Sequence, residues 1–394
     1  MIVLSVRKIS NKCSMITSYL HILLLIVPAV PAVDLELFEL PSHTYPDALC
    51  NDGSRAGYFH DTDLTKLDKI HVHLNGGNLC DDDEACVERC DHDHDGVVDN
   101  HLCTAATKQT QHRNNGLFSS DQENPLHDFW HVIVPYCSSD TWAGTGYSAE
   151  SGYYFHGKHI FRNVMNSLAH HFNLFEAKEF VLSGMSAGAY GVGLNCDDVS
   201  DWLHANNPDM KVRCVADSPD FIPWWVHSPD CPRRSDGYQK SVNMFWSRDM
   251  DHSCQHFVFN PAHNVTEPEE VCGILSRSLS FITTDIFILV SLRDSTISVG
   301  YGCPQPGLED EIFLPWMAGM HDLVTTAAQH NPQVGLFVPS CPCHVIYGGR
   351  YQDVIVTDIH TGLEINAYSA LKHWLDGDVV HAVDTLTEEN LTCP

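Results

Sequence analysis

The chain has 394 residues, 43% of them hydrophobic, enough to bury a substantial core and to exclude intrinsic disorder. Its 51 acidic and 22 basic residues give a formal charge of −29, a field that repels nucleic-acid phosphates and anionic membrane surfaces. Nucleic acid and anionic membrane are excluded as partners on that ground.

The first 32 residues differ from the rest. Arg7, Lys8 and Lys12 precede an apolar run from about Met15 to Val27, and small residues and prolines follow up to Ala32. A basic n-region, an h-region short for a bilayer span and a small-residue cleavage pattern predict a signal peptide over 1–32. Its removal takes away three basic residues and moves the charge to −32. No later stretch offers about 18 uninterrupted apolar residues, so residues 33–394 are expected to be secreted as one domain with no membrane insertion. Sixteen cysteines in such a chain imply a disulfide framework. Cys13 leaves with the leader and fifteen remain, so at least one is unpaired or intermolecular; spacing alone does not give the connectivity. Asn264 (N-V-T) and Asn390 (N-L-T) are glycosylation acceptors that fit exposed loops.

In chain order, "KIHVHLN" (69–75) is the first buried strand, and Gly76 and Gly77 follow it directly. Two glycines at a strand end let backbone N–H groups approach a carbonyl oxygen, as half of an oxyanion hole does. "CDHDHDGVVDNHLC" (90–103) comes next. Asp91, Asp93, Asp95, Gly96 and Asp99 occupy positions 1, 3, 5, 6 and 9 of a calcium loop. Leu102 stands where the bidentate Glu belongs, and the flanks do not read as paired helices. A Cys90–Cys103 bridge could preform the loop around a structural calcium ion; His92, His94 and His101 make zinc a weaker option, and a solvated acidic insertion is the simplest one.

"HVIVP" (131–135) is a second buried strand. In "KHIFRNVMNSLAHHF" (158–172), Phe161, Val164, Leu168 and Phe172 form one stripe at helical spacing. "EFVLS" (179–183) then runs into Gly184-Met185-Ser186-Ala187-Gly188, and a helix is expected after it. G-x-S-x-G between a buried strand and a helix is the nucleophile-elbow pattern: it lifts the serine Oγ off the sheet toward free N–H groups at the helix start. "VRCVA" (212–216), "DIFILVS" (285–291) and "GLFVP" (335–339) are further strands, and "INAYSALKHWLDG" (365–377) is a closing helix. Residues 217–280, rich in Pro, Trp and Cys, read as insertions over the sheet. Strands buried on both faces and alternating with helices predict an α/β fold with a mainly parallel sheet.

An elbow needs a carboxylate and then a histidine at later strand ends. Asp294 after "IFILVS" and His344 after "GLFVP" fit both order and position. Among 26 histidines and 51 acids, Glu309, Asp310, Glu311, His321 and His330 are formal competitors.

Together, "HLNGGNLC", "NPLHDFWHVIVPYCSSDTWAGT", "GMSAGAYGVGLNCDDV", "VADSPDFI", the Asp294 segment and "GLFVPSCPCH" resemble the pectin acetylesterase/Notum family of secreted carboxylesterases, over roughly residues 50–375. "PYCSSDTWAG" is closer to the Notum-like side than to plant pectin acetylesterases. The resemblance implies an α/β-hydrolase-like fold, a mainly parallel central sheet flanked by helices with disulfide-rich insertions. It also implies a triad of Ser186, Asp294 and His344 and an oxyanion hole from the N–H groups of Gly77, Asn78 and Ala187. An O-acylated glycan or an acylated protein is the implied substrate, and the chemistry needs no cofactor. The family reads Glu-Gly-Gly and then a large aromatic where this chain has Asn75-Gly76-Gly77-Asn78, which weighs against a greasy acyl pocket. Met185 and Tyr190 are larger than usual around the elbow. Cys343 is additional to the family pattern and is the candidate unpaired thiol. The alternative, from another class, is a catalytically inactive, calcium-stabilised extracellular binding protein on a hydrolase scaffold.

Overall fold

Side chains that alternate in direction along strands buried almost throughout set up two apolar faces. Ile70, Val72, Leu74, Phe180, Leu182, Cys214, Ala216, Ile286, Ile288, Leu336 and Val338 belong to one buried cluster. Val181, Val215, Phe287, Leu289 and Phe337 belong to another. A sheet apolar on both sides must be covered on both sides, which is what a layered α/β architecture provides.

The computed structural model describes residues 33–91, 102–105, 112–113, 116–219, 247–263, 271–272, 275–294, 296, 310–331, 333–348, 352–358, 361–385, 390 and 392–393. The elements in chain order are β1 (Val33–Glu39), β2 (Gly57–Asp61), β3 (Lys69–Leu74), α1 (Asp83–Asp91), β4 (His112–Arg113), β5 (Trp130–Val134), β6 (Gly146–Tyr147), β7 (Tyr154–Phe155), α2 (Gly157–His171), β8 (Glu179–Met185) and α3 (Ala187–Asn206). They continue with β9 (Lys211–Asp217), α4 (His252–Val258), α5 (Leu275–Ser278), β10 (Ile286–Leu289), α6 (Asp310–His330), β11 (Gly335–Val338), β12 (Val356–Thr357), β13 (Glu364–Ile365), α7 (Ala367–Leu375) and β14 (His381–Val383).

Ten strands form one sheet in the order β14-β11-β10-β9-β8-β3-β5-β2-β1-β4. The pairs from β14 to β5 are parallel, and those from β5 to β4 are antiparallel. The six expected strands are all present, each within the parallel part. Register places the strand ends side by side: Leu74 opposes Gly184, Gly184 opposes Ala216, and Met185 opposes Asp217. Asp217 also opposes Leu289. One rim of the sheet therefore collects the residues that follow β3, β8, β9, β10 and β11.

The helices follow from their local sequence. On α2, Phe161, Val164 and Leu168 are buried in the core, with Phe172 packed against it at the helix end. Helix α7 starts where the Asn366 side chain accepts the Ser369 N–H at 2.8 Å, an N-cap bond. Its buried Leu371 and Trp374 cover the second face.

Among the described residues six disulfides supply connectivity that spacing did not: Cys50–Cys137, Cys80–Cys86, Cys90–Cys103, Cys196–Cys214, Cys254–Cys272 and Cys341–Cys393. Cys343 is a free, buried cysteine. No helix among the described residues is long and apolar enough to cross a membrane. Helix α1 ends at Asp91, so one flank of the acidic stretch is helical. One expectation is corrected. Asn390 is half-buried rather than on an open loop, and its Nδ2 donates to Ile355 O and Asp384 Oδ2, both at 2.7 Å. Glycan transfer to that nitrogen requires both bonds to break. Residues 1–32, Asn264 and most of the 217–280 insertion lie outside the described residues.

Candidate active site

The serine sits where β8 hands over to α3. Ser186 has φ 54° and ψ −123°, a backbone conformation costly for any residue with a Cβ. Its neighbours enforce it. A Cβ on Gly188 would lie 2.0 Å from Leu74 O, and one on Gly76 would lie 2.8 Å from the Ser186 Cβ. The two glycines thus let the elbow and the loop after β3 touch backbone to backbone. The Ser186 N–H donates to Asp217 O at 2.9 Å, tying the bend to the end of β9.

His344 lies six residues past β11 and reaches across the rim. Its Nε2 is 2.9 Å from Ser186 Oγ, and its Nδ1 is 2.7 Å from Asp294 Oδ2. Asp294 is 1% exposed and the His344 side chain 18%, so the carboxylate is sealed while the imidazole keeps an open edge. Sequence placed the three at strand ends; the fold brings them into serial contact. The competitors Asp310, Glu311, His321 and His330 fall on helix α6, and Glu309 lies outside the described residues.

The loops that carry Asp294 and His344 are tied together behind the site. Leu292 N–H donates to Pro339 O at 3.0 Å, Ser291 Oγ donates to Pro339 O and Cys341 O, and Arg293 Nε donates to Ser340 Oγ at 3.2 Å. The Cys341–Cys393 bridge and the bond from Ser340 N to Asp384 Oδ2 (2.8 Å) anchor the same loop to the tail.

Two residues missed by sequence reasoning hold the turn after His344. Asp217, buried at the end of β9, accepts the N–H groups of Ile346 and Tyr347, each at 2.8 Å. Ser218 Oγ accepts the N–H of Val345 at 2.8 Å. Val345 has φ 69°, a strained value for a β-branched residue, so three consecutive bonds pin the turn directly after His344. Burial pushes the Asp217 carboxyl up to about 6, partly offset by the two N–H groups it accepts. The Asp-Ser pair after a buried strand in "VADSPDFI" was the available signal.

On the oxyanion side, Ala187 is the first residue of α3 and directly follows Ser186. Gly77 has φ 154° and Asn78 φ 62°, and the close approach of Gly76 to Ser186 keeps this loop against the elbow. Asn78, standing where the family has an aromatic, is exposed. Met185 lies beside the site, its Sδ 3.3 Å from a Cβ built on Gly348. Tyr190 is buried beneath Arg248, whose guanidinium sits 4.7 Å from the ring centroid.

Cys343 adjoins the site without joining it. Burial pushes its thiol up to about 12, so it is a protonated neighbour and not a second nucleophile. The calcium expectation cannot be placed: Asp93, Asp95 and Asp99, with His92, His94 and His101, lie outside the described residues, and of Asp91 only the backbone is described. The bridge expected at the base of that loop, Cys90–Cys103, is present. Among the described residues no group of three or more His, Cys, Asp or Glu could hold a metal ion.

The sequence matches the pectinacetylesterase family over residues 30–306, more than half of the chain. The chain belongs to that family. Membership supports a carboxylic ester hydrolase with an α/β-hydrolase-like fold. The matched range includes Ser186 and Asp294, while His344 lies beyond it. Relatives include the palmitoleoyl-protein carboxylesterase NOTUM of Schmidtea mediterranea, 32% identical over 233 residues, covering 56% of this chain and 42% of that protein. Palmitoleoyl-protein carboxylesterase notum2 of Xenopus laevis is 34% identical over 179 residues, 44% of this chain and 35% of that one. The Homo sapiens NOTUM is 35% identical over 178 residues, 44% and 34% respectively. The aligned region spans well under half the length of these relatives.

Proposed function

We propose that the chain is a secreted serine carboxylesterase that removes O-acyl groups, with Ser186 as nucleophile, His344 as general base and acid, and Asp294 as the group that orients the imidazole. The observation that carries this reading is the unbroken series of contacts from Ser186 Oγ through His344 to Asp294. In the reaction, His344 Nε2 takes the proton of Ser186 as Oγ attacks the ester carbonyl. The N–H groups of Gly77, Asn78 and Ala187 hold the negative oxygen, the alcohol leaves with the proton from His344, and an acyl-enzyme remains. Water activated by the same imidazole then releases the acid. Secretion is supported by the signal-like leader and the six disulfides.

Two acyl classes are in play. The matched family name points to acetyl groups on glycans, and the relatives' names point to a fatty acyl group on a protein. The exposed Asn78 at the family's aromatic position favours the shorter group. The binding-protein alternative draws no support from the family match.

The test is hydrolysis of p-nitrophenyl esters from C2 to C8 by the parent and by Ser186→Ala. We expect the variant to lose activity by about 10³-fold or more, as removal of a triad nucleophile does. Equal rates for parent and variant would reject the esterase reading, and the chain-length profile separates acetyl from longer acyl preference.

A further inference from the structure

We infer that Arg89 is a positioning residue for the oxyanion hole: it holds the Gly77–Asn78 peptide in the one rotation that presents an N–H to the reacting carbonyl. This rests on the esterase reading given above. Arg89 Nη2 donates to Gly77 O, and Arg89 Nε donates to Ser139 Oγ at 2.8 Å. Ser139 is itself buried and donates to Asn51 Oδ1 at 2.7 Å. In a trans peptide the C=O and the following N–H point in opposite directions. A donor fixed on the Gly77 carbonyl therefore turns the Asn78 N–H away from Arg89, and a flipped peptide would put a carbonyl where the hole needs a donor.

The loop needs such a clamp. Gly77 at φ 154° is free to rotate, and Asn78 at φ 62° occupies a region that non-glycine residues rarely adopt. The carbonyl two residues back is tied in the same way: Trp142 Nε1 donates to Asn75 O at 3.0 Å. Both donors are held by the "SSDTW" turn, since Asp140 Oδ1 accepts the Trp142 N–H at 3.1 Å.

Arg89 is also fixed in space. It lies on α1, which is stapled by Cys80–Cys86 and, at the residue next to it, by Cys90–Cys103. Its guanidinium is half-buried, and among the described residues its hydrogen bonds go to neutral acceptors. A positive charge on the carbonyl side of the peptide polarises it, making the N–H on the far side a stronger donor to a developing oxyanion.

The test uses the full chain with Arg89→Met, Arg89→Lys and Ser139→Ala, with Ser186→Ala as reference. For Arg89→Met we expect kcat to fall by about 10- to 100-fold with little change in KM. That loss stays within the 10²- to 10³-fold caused by removing a whole oxyanion donor. Arg89→Lys, which keeps the charge but cannot reach both acceptors, should fall between, and Ser139→Ala, which removes only the rear anchor, should lose less. Affinity for a trifluoromethyl ketone, which forms a tetrahedral oxyanion adduct on the serine, should drop in parallel with kcat/KM. Affinity for the product acid should not change. If Arg89→Met keeps parent kcat, or loses activity without losing discrimination for the tetrahedral adduct, the clamp is wrong while an inactive Ser186→Ala leaves the esterase reading standing. If Arg89→Met does not fold, the same two readouts on Arg89→Lys and Ser139→Ala decide. Full activity in Ser186→Ala overturns both.

Discussion

Ser186 and His344 meet across one rim, yet their supports are built differently. Ser186 is held by regular elements: a strand, a helix and glycines packed so tightly that the backbone has no other course. His344 stands on an irregular loop held by side-chain acceptors, chiefly Asp217 and Ser218, and by ties to the Asp294 loop and the tail. A steric support fails completely when a single atom is added. A hydrogen-bonded support fails by degrees. The same contact can therefore be broken in two distinguishable ways.

The largest effect is expected at the elbow. Gly188→Ala puts a Cβ 2.0 Å from Leu74 O, between two core backbones that cannot yield. The variant should fail to give soluble folded protein or lose most of its cooperative unfolding transition, as followed by circular dichroism. A folded, active Gly188→Ala would show that the elbow is less rigid than its packing implies.

A smaller, graded effect is expected on the other side. Asp217→Asn leaves one acceptor for two N–H groups and turns an amide donor toward one of them, so His344 loses its fixed reach. The expected result is a folded protein with kcat reduced by about 10- to 100-fold, equivalent to one or two lost charge-assisted bonds. Parent-level activity in that variant would remove Asp217 from the support of His344.

The finest distinction is pH dependence. Beneath the elbow strand, His71 Nε2 and His73 Nδ1 both meet Ser183 Oγ, at 2.6 and 2.7 Å, and His71 Nδ1 meets His131 Nδ1 at 2.9 Å. Burial holds His71 well below the ordinary imidazole range and His131 at about 3. Because the unfolded chain takes up these protons first, stability from this cluster is present above pH 6.5 and is lost as the pH falls toward 3. Asp217 has the opposite sign: its raised folded value, about 6, means that stability is gained as the pH falls from above 6 toward 3.8. Between pH 7 and 5, denaturant titrations should show His131 contributing a loss of about 2 kcal/mol and Asp217 a gain of about 1 kcal/mol. Accordingly His131→Phe should flatten the acid loss and Asp217→Asn should steepen it; slopes that stay unchanged in both variants would refute the assignment.

The parallel part of the fold was legible because strands buried on both faces leave continuous apolar runs, as in "VRCVA" and "IFILVS". The edge strands were not: β1, "VDLELFE", mixes acids into its alternation, and β14 has only three residues. Helix α6 carries Pro315 and two adjacent threonines, which blur its period. At the site, Ser186 announces itself by a local pattern, and Asp294 and His344 by the strand-end rule. Asp217 leaves only an Asp-Ser pair at a strand end and Arg89 no trace, because a side chain that bonds to backbone 129 or 12 residues away imposes no spacing on the sequence.

The bridge from Cys341 to Cys393 carries one more consequence. It joins the stretch just before His344 to the far tail, while the bridge on the elbow side, Cys196–Cys214, lies well along α3 from Ser186. A chain produced in a reducing cytosol is therefore expected to hold Ser186 more firmly than His344 and to stay quiet until oxidation completes it. Hydrolysis measured before and after air oxidation of reduced protein would reveal that built-in delay.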